Sequence, residues 1–111
     1  MKPVFQKELV KGRGDCLAAC LASIMDVPLE DVPNFSLCDN PWDDVQKWLV
    51  QHGLYALRFP ASTMFFPIPL AYVILSGRSA NGTGQHAGVG RLTESGWELA
   101  HDPNPASNGL E

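Results

Sequence analysis

Cys16 follows Asp15 and a glycine-rich approach, KGRG, at the start of the uninterrupted run CLAACLASIM. Asp is a good N-cap residue and the run contains no Gly or Pro, so a helix is expected to begin at Asp15. Cys16 then takes the first helical position. The unpaired N–H groups and the positive end of the helix dipole there favour a thiolate, which is the nucleophilic form of cysteine. The same N–H groups can hold a developing oxyanion. Position thus suits acyl transfer by Cys16, with a pKa below that of a free thiol if the Asp15 carboxylate turns to the backbone. It equally suits a small apolar residue on a buried helix. Cys20, one turn further on, is expected to be buried and inert, and Cys38 sits in a polar loop beside Asp39 and Asn40 that leaves its state open.

A nucleophilic thiol needs a base, and the base needs an acceptor to orient it. Of the three histidines, His52 precedes Gly53 at a helix end, where a cation suits the dipole, so a capping role is expected. His86 opens the segment HAGVGRL, and His101-Asp102 closes the segment WELAHD. If these pair as a hairpin about Glu94, positions 86 and 102 lie directly opposite, within reach of an imidazole–carboxylate hydrogen bond. A one-residue slip would move Asp102 across from Ala87, on the wrong face. His101 faces the other way and is expected to matter less. The His86 face carries Gly88 and Gly90, which would admit the alanine-lined Cys16 helix at close range. The ordinary alternative is a strand-end histidine and an Asp that caps the turn in HDPNP.

The elements that must position these groups follow from periodicity and punctuation. Residues 3–6 read as an extended piece. In the first helix Cys16, Leu17, Cys20, Leu21, Ile24 and Met25 form an apolar stripe, and Ala18, Ala19 and Ala22 keep its other sides narrow, which marks a central helix. Val27-Pro28 ends it. A second helix is expected over 41–52, with Asn40 as N-cap, Pro41 at N1, Asp43 and Asp44 in the first turn and Gly53 as the stop. Val45, Trp48 and Leu49 form its inner face. From Leu54 the pattern turns to strands: LYALRF, LAYVILS, HAGVGRL and WELAHD. LAYVILS is apolar almost throughout and is expected to be covered on both faces. Helices first and strands afterwards is the α+β order with an antiparallel sheet.

Composition bounds the function. The 111 residues fit one domain, 1–111, with 45% hydrophobic residues and ten aromatics to build a core. The net charge of −4 disfavours a nucleic-acid partner, which needs a basic stripe. Three cysteines make no disulfide framework, which points to a reducing cytoplasm. No apolar run approaches the roughly 20 residues of a membrane span. NGTGQHAGVG lacks the Lys-Ser/Thr of a P-loop and precedes a strand, so it reads as a mobile loop beside a site. Neither CxxC nor HExxH occurs, and no metal or cofactor is expected. Phe65, Phe66 and Pro67 form an apolar run that either covers the core or walls a groove.

GDCLAACLASIM, then HAGVG, then an aromatic strand ending in HDPNP, resembles the papain-like cysteine peptidases, most closely the bacterial branch that includes bacteriocin-leader peptidases. The resemblance implies a helix carrying the nucleophile packed on a small antiparallel sheet. It implies Cys16 as nucleophile, His86 as general base and Asp102 as orienting acid, in the family's chain order. It also implies an upstream Gln as oxyanion donor. The candidate is Gln6, ten residues before Cys16, a wider gap than the family's, and Leu17 stands where the family often has Gly. The implied activity is a thiol hydrolase acting on a peptide or amide bond of a peptide or protein substrate. The alternative is a catalytically inactive module that keeps the fold and binds a protein partner through the same cleft.

Overall fold

The computed structural model describes residues 1–7, 14–57, 72–78, 85–93 and 96–105. The chain runs through helix α1 (Cys16–Met25), two single 3-10 turns (Leu29–Asp31 and Phe35–Leu37), helix α2 (Pro41–Gln51), and strands β1 (Tyr72–Arg78), β2 (Gln85–Thr93) and β3 (Gly96–His101). It is an α+β fold whose described strands form one antiparallel sheet in the order β1-β2-β3. No described helix is long and apolar enough to cross a membrane.

Helix α1 is the central element, as its small side chains require. Ala18, Ala19, Cys20 and Ala22 are each almost wholly buried, which a wider residue would not permit. One side of α1, through Ala18, Leu21 and Ala22, meets Leu29, Val32 and Phe35 of the 3-10 segment and Val45 and Leu49 of α2. Phe35 packs edge-on against Trp48, ring centroids 6.0 Å apart. The other side, through Cys20, meets Ala87 and Val89 of β2, with Ile74 of β1 bridging the two clusters. α1 ends at Asp26, which adopts the left-handed conformation (φ 57°) while the Val27 N–H donates to Ala22 O. α2 starts at Asn40 and Pro41 as its signals dictate. Its end is capped by His52, whose ring nitrogen bonds the Trp48 carbonyl at 2.9 Å, the expected role for that histidine.

Three expectations are corrected. The sheet packs on α1 through Ala87 and Val89, not through Gly88 and Gly90. Those glycines are roofed by leucines of the neighbouring strands: a Cβ on Gly88 would meet Leu99, and one on Gly90 would meet Leu75. Residues 54–57 are not strand, because after Gly53 the segment is tied to α2 instead: Gln46 exchanges two hydrogen bonds with the Ala56 backbone, at 2.7 and 3.0 Å. In β1, Tyr72, Val73, Ile74 and Leu75 are half-buried, so the apolar strand is not fully covered on either face. The NGTGQ loop up to Gly84, the run at Phe65–Pro67 and the turn at 94–95 lie outside the described residues.

The extended piece at the N-terminus is laid along α1 by long-range bonds. Lys2 N–H donates to Ser23 O at 3.0 Å, and Val4 N–H donates to the Ser23 hydroxyl at 2.9 Å. That hydroxyl in turn donates to Ala19 O at 2.8 Å, so the buried polar group is satisfied twice. The segment therefore runs back along the helix, from its C-terminal end toward Cys16.

Candidate active site

Three segments meet where α1 begins. The first is α1 itself. Asp15 occupies the N-cap position without bonding the helix's own N–H groups. Its carboxylate instead accepts the Lys7 N–H, at 3.0 and 3.3 Å to its two oxygens, and ties the N-terminal segment to the helix start. The Gly14 carbonyl accepts the Ser36 hydroxyl at 2.7 Å, which holds the approach to Cys16 from the other side.

The second is the start of β2. The half-buried Cys16 packs against the cluster of Cys20, Ala87 and Val89, with its sulfur facing the Ala87 N–H, so the thiol lies on β2 one residue from His86. The third is the turn after β3. His86 Nε2 and Asp102 Oδ1 stand 2.6 Å apart, with both side chains largely screened from solvent. The His86–Asp102 pair expected from the sequence is therefore formed, on the sheet face opposite the one that packs on α1; the described contacts bring Cys16 to Ala87, next to His86, and not to the imidazole. With Nε2 bound to Asp102, Nδ1 is the ring nitrogen left for a second partner. Asp102 Oδ1 also accepts the Asn104 N–H at 2.9 Å, an Asx turn that fixes the carboxylate. Both readings of Asp102, turn residue and histidine partner, hold in the same atom.

The register that achieves this differs from the expected one. Thr93 pairs with Gly96, Leu92 with Trp97, Arg91 with Glu98 and Gly90 with Leu99, one residue off a hairpin centred on Glu94. Continued unbroken, that pairing would set Asp102 across from Ala87, on the wrong face. A bulge intervenes: Val89 pairs with His101, leaving Ala100 as the extra residue. The added residue restores the parity. One step beyond His101, Asp102 falls across from Gly88, diagonal to His86 and on its face, within reach of two long side chains.

Gln6 is buried and held between the other parts. Its backbone N–H donates to Pro103 O at 2.9 Å, next to Asp102, while Lys7 beside it is bonded to Asp15, next to Cys16. The wide sequence gap between Gln6 and Cys16 is thus spanned by the Lys7–Asp15 contact, between the residues next to each. His101 lies on the opposite sheet face from His86, paired with Val89, as expected. It is not idle there. Its Nε2 donates to Val4 O at 2.7 Å and its ring meets Phe5 edge-on at 4.9 Å. Sequence reasoning missed Ser23 and His101 as anchors of the N-terminal piece. A serine at a core position of an apolar helix is the signal that could have marked the first.

The electrostatics correct one expectation outright. Burial pushes the Cys16 thiol above its ordinary value. The N–H groups of Ala87, Leu17 and Cys16 pull it back, and the Asp15 carboxylate adds to the rise. Desolvation outweighs the helix terminus here, so the thiol is held above its ordinary value and not below it. Cys20, fully buried, is pushed up much further by desolvation, with Cys16 and Asp102 contributing. All three cysteines are free. Among the described residues no three His, Cys, Asp or Glu side chains gather as a metal site. No family model, no curated protein and no solved structure matches this chain.

Proposed function

We propose that this chain is a thiol hydrolase of the papain-like type, with Cys16 as nucleophile, His86 as general base and Asp102 as the group that orients the imidazole. The observation that carries the reading is the 2.6 Å His86–Asp102 bond, formed one residue from Ala87, against which Cys16 packs. The order Cys, His, Asp and a nucleophile helix packed on an antiparallel sheet support it further. Because the thiol is held above its ordinary value, the proton leaves during attack. His86 Nδ1 takes the proton as the sulfur bonds the substrate carbonyl carbon, and Asp102 stabilises the imidazolium. The Cys16 N–H holds the oxyanion, with Gln6, carried by the N-terminal segment, as the second donor. Collapse breaks the C–N bond, and the imidazolium returns its proton to the leaving amine. Water, deprotonated by His86, then releases the acyl group and regenerates the thiol. The substrate class is a peptide or amide bond in a peptide or protein, and no step requires a cofactor. Three free cysteines suit a reducing compartment, and the cytoplasm is the location that fits the chemistry.

One observation favours a second reading. Burial and the neighbouring Asp15 carboxylate both work against a thiolate, as they would in a module that keeps the cleft to bind a protein partner without turning it over. Alkylation by a small neutral electrophile, followed by peptide mass spectrometry, separates the two. The hydrolase requires Cys16 to react ahead of Cys20 and Cys38, and His86→Ala to slow it. Equal or slower reaction at Cys16, indifferent to His86→Ala, leaves the binding module standing.

A further inference from the structure

We infer that His101 is a positioning residue for the oxyanion site, acting through the N-terminal segment that carries Gln6; this rests on the hydrolase reading above. Residues 2–7 belong to no helix or strand, so their position depends on what they bond to. Ser23 holds Lys2 and Val4 from the α1 side. His101 holds Val4 O from the β3 side, across 97 positions of chain, and its ring also abuts Phe5. Val4 is thus gripped at both its N–H and its carbonyl, two residues before Gln6. Beyond that grip, Gln6 N–H reaches Pro103 and Lys7 N–H reaches Asp15, so the backbone that carries the buried Gln6 side chain is held on both sides. The Ala100 bulge is what turns His101 toward Val4, because it pairs His101 with Val89, on the α1 face, while Asp102 follows on the His86 face. One kink in β3 therefore serves both halves of the site. His101 orients the oxyanion side, and Asp102 orients the base.

Two reactions of the same sulfur test this. Acylation of Cys16 by 4-nitrophenyl acetate passes through an oxyanion: the S–C bond forms, the C–O bond to the aryl group breaks, 4-nitrophenolate leaves and the thiol proton passes to His86 and then to water. Alkylation by iodoacetamide displaces iodide and develops no oxyanion. Both rates are read at Cys16 by peptide mass spectrometry on the full chain. Gln6→Ala and His101→Phe are each expected to slow acylation roughly 10- to 100-fold with alkylation unchanged. The double variant is expected to be no slower than Gln6→Ala alone, because both act on one group. His101→Gln, which keeps a donor for Val4 O, is expected to retain the wild-type ratio of the two rates and guards against a folding defect in His101→Phe. The inference is overturned if folded His101→Phe acylates like wild type, if it slows both reactions alike, if Gln6→Ala has no effect, or if His101→Gln loses the ratio as far as Gln6→Ala does. A wild-type Cys16 that is neither acylated nor alkylated ahead of Cys20 and Cys38 removes the hydrolase reading and this inference with it. Normal acylation that Gln6→Ala slows and His101→Phe does not removes the inference alone.

Discussion

A single oxygen, Oδ1 of Asp102, accepts the imidazole N–H of His86 at 2.6 Å and the backbone N–H of Asn104 at 2.9 Å. The turn that ends β3 and the candidate base of β2 are therefore locked to one another. An aspartate doing only one of these jobs would behave differently on mutation.

Replacing Asp102 with Ala removes both bonds. Acylation of Cys16 is expected to fall roughly 10²-fold, within the range contributed by a positioned acid–base pair. Stability is expected to fall by about 1–2 kcal/mol, from the Asn104 N–H left without its acceptor. Asp102→Asn keeps a carbonyl oxygen for both donors, so it should lose less of each. Urea denaturation and the acylation rate measured on the same preparations check this, and an Asn variant as impaired as the Ala variant would count against the shared-oxygen account.

The elevated thiol sets the pH dependence of Cys16. The rate of alkylation is expected to rise through alkaline pH with a midpoint above the roughly 8.5 of a free thiol, since burial raises the value more than the three N–H groups lower it. Asp15→Asn removes a nearby negative charge and retains an acceptor for Lys7 N–H, so its midpoint should move down. A wild-type midpoint at or below that of a free thiol would contradict the desolvation argument.

Local signals made the helices legible. Asn40, Pro41, the Asp pair and Gly53 bracket α2 without any help from the rest of the chain, and the alanines of α1 announce a helix approached from several sides. The residues of the candidate site were legible as types and in their order, and His86 and Asp102 do meet. The route by which they meet was not. Ala100 carries no bulge signal of the kind Gly or Pro would supply, so the hairpin centre inferred from spacing missed both the offset and the bulge that compensates it. Nor could the packing face be read from small residues alone. Gly88 and Gly90 are small because Leu99 and Leu75 lie over them, whereas α1 sits on the face of Ala87 and Val89. The bonds from Val4 to His101 and Gln6 to Pro103 join segments far apart in the chain, and no periodicity encodes a contact of that span.

Cys20 makes the fold sensitive to alkali. In the unfolded chain its thiol ionises near 8.5, whereas in the folded core desolvation holds the proton on to far higher pH. The folded state binds the proton more tightly, so this stabilisation is complete below the unfolded value and is lost as pH rises above it. The expected slope is up to about 1.4 kcal/mol per pH unit for one such thiol. Urea denaturation at stepped pH above 8.5 should show the decline in wild type and a flatter decline in Cys20→Ala, with a remainder from Cys16, which is shifted the same way. Identical slopes in the two proteins would exclude Cys20 as the cause.

Gly88 and Gly90 should fail in different ways when a methyl is added. A Cβ on Gly90 would lie 2.5 Å from Cγ of Leu75, the branch point of that side chain, so rotating the isobutyl tip cannot clear it. Overpacking of this kind costs about 1–3 kcal/mol. Leu75→Ala in the same chain should recover part of the loss, a coupling of at least about 0.5 kcal/mol between two touching residues. The clash is with a side chain in mid-sheet, so the acylation rate of folded Gly90→Ala should stay near wild type. A Cβ on Gly88 would lie 2.6 Å from Cδ1 of Leu99 and also 3.3 Å from the His101 carbonyl, which is main chain. Leu99 is partly exposed and can swing outward, but the carbonyl cannot yield without moving the residue before Asp102. Gly88→Ala should therefore cost less stability than Gly90→Ala and more acylation. Measuring denaturation midpoints and Cys16 acylation for both variants decides the matter: a Gly88→Ala protein that acylates as fast as wild type would show that the end of β3 can shift without disturbing the His86–Asp102 bond.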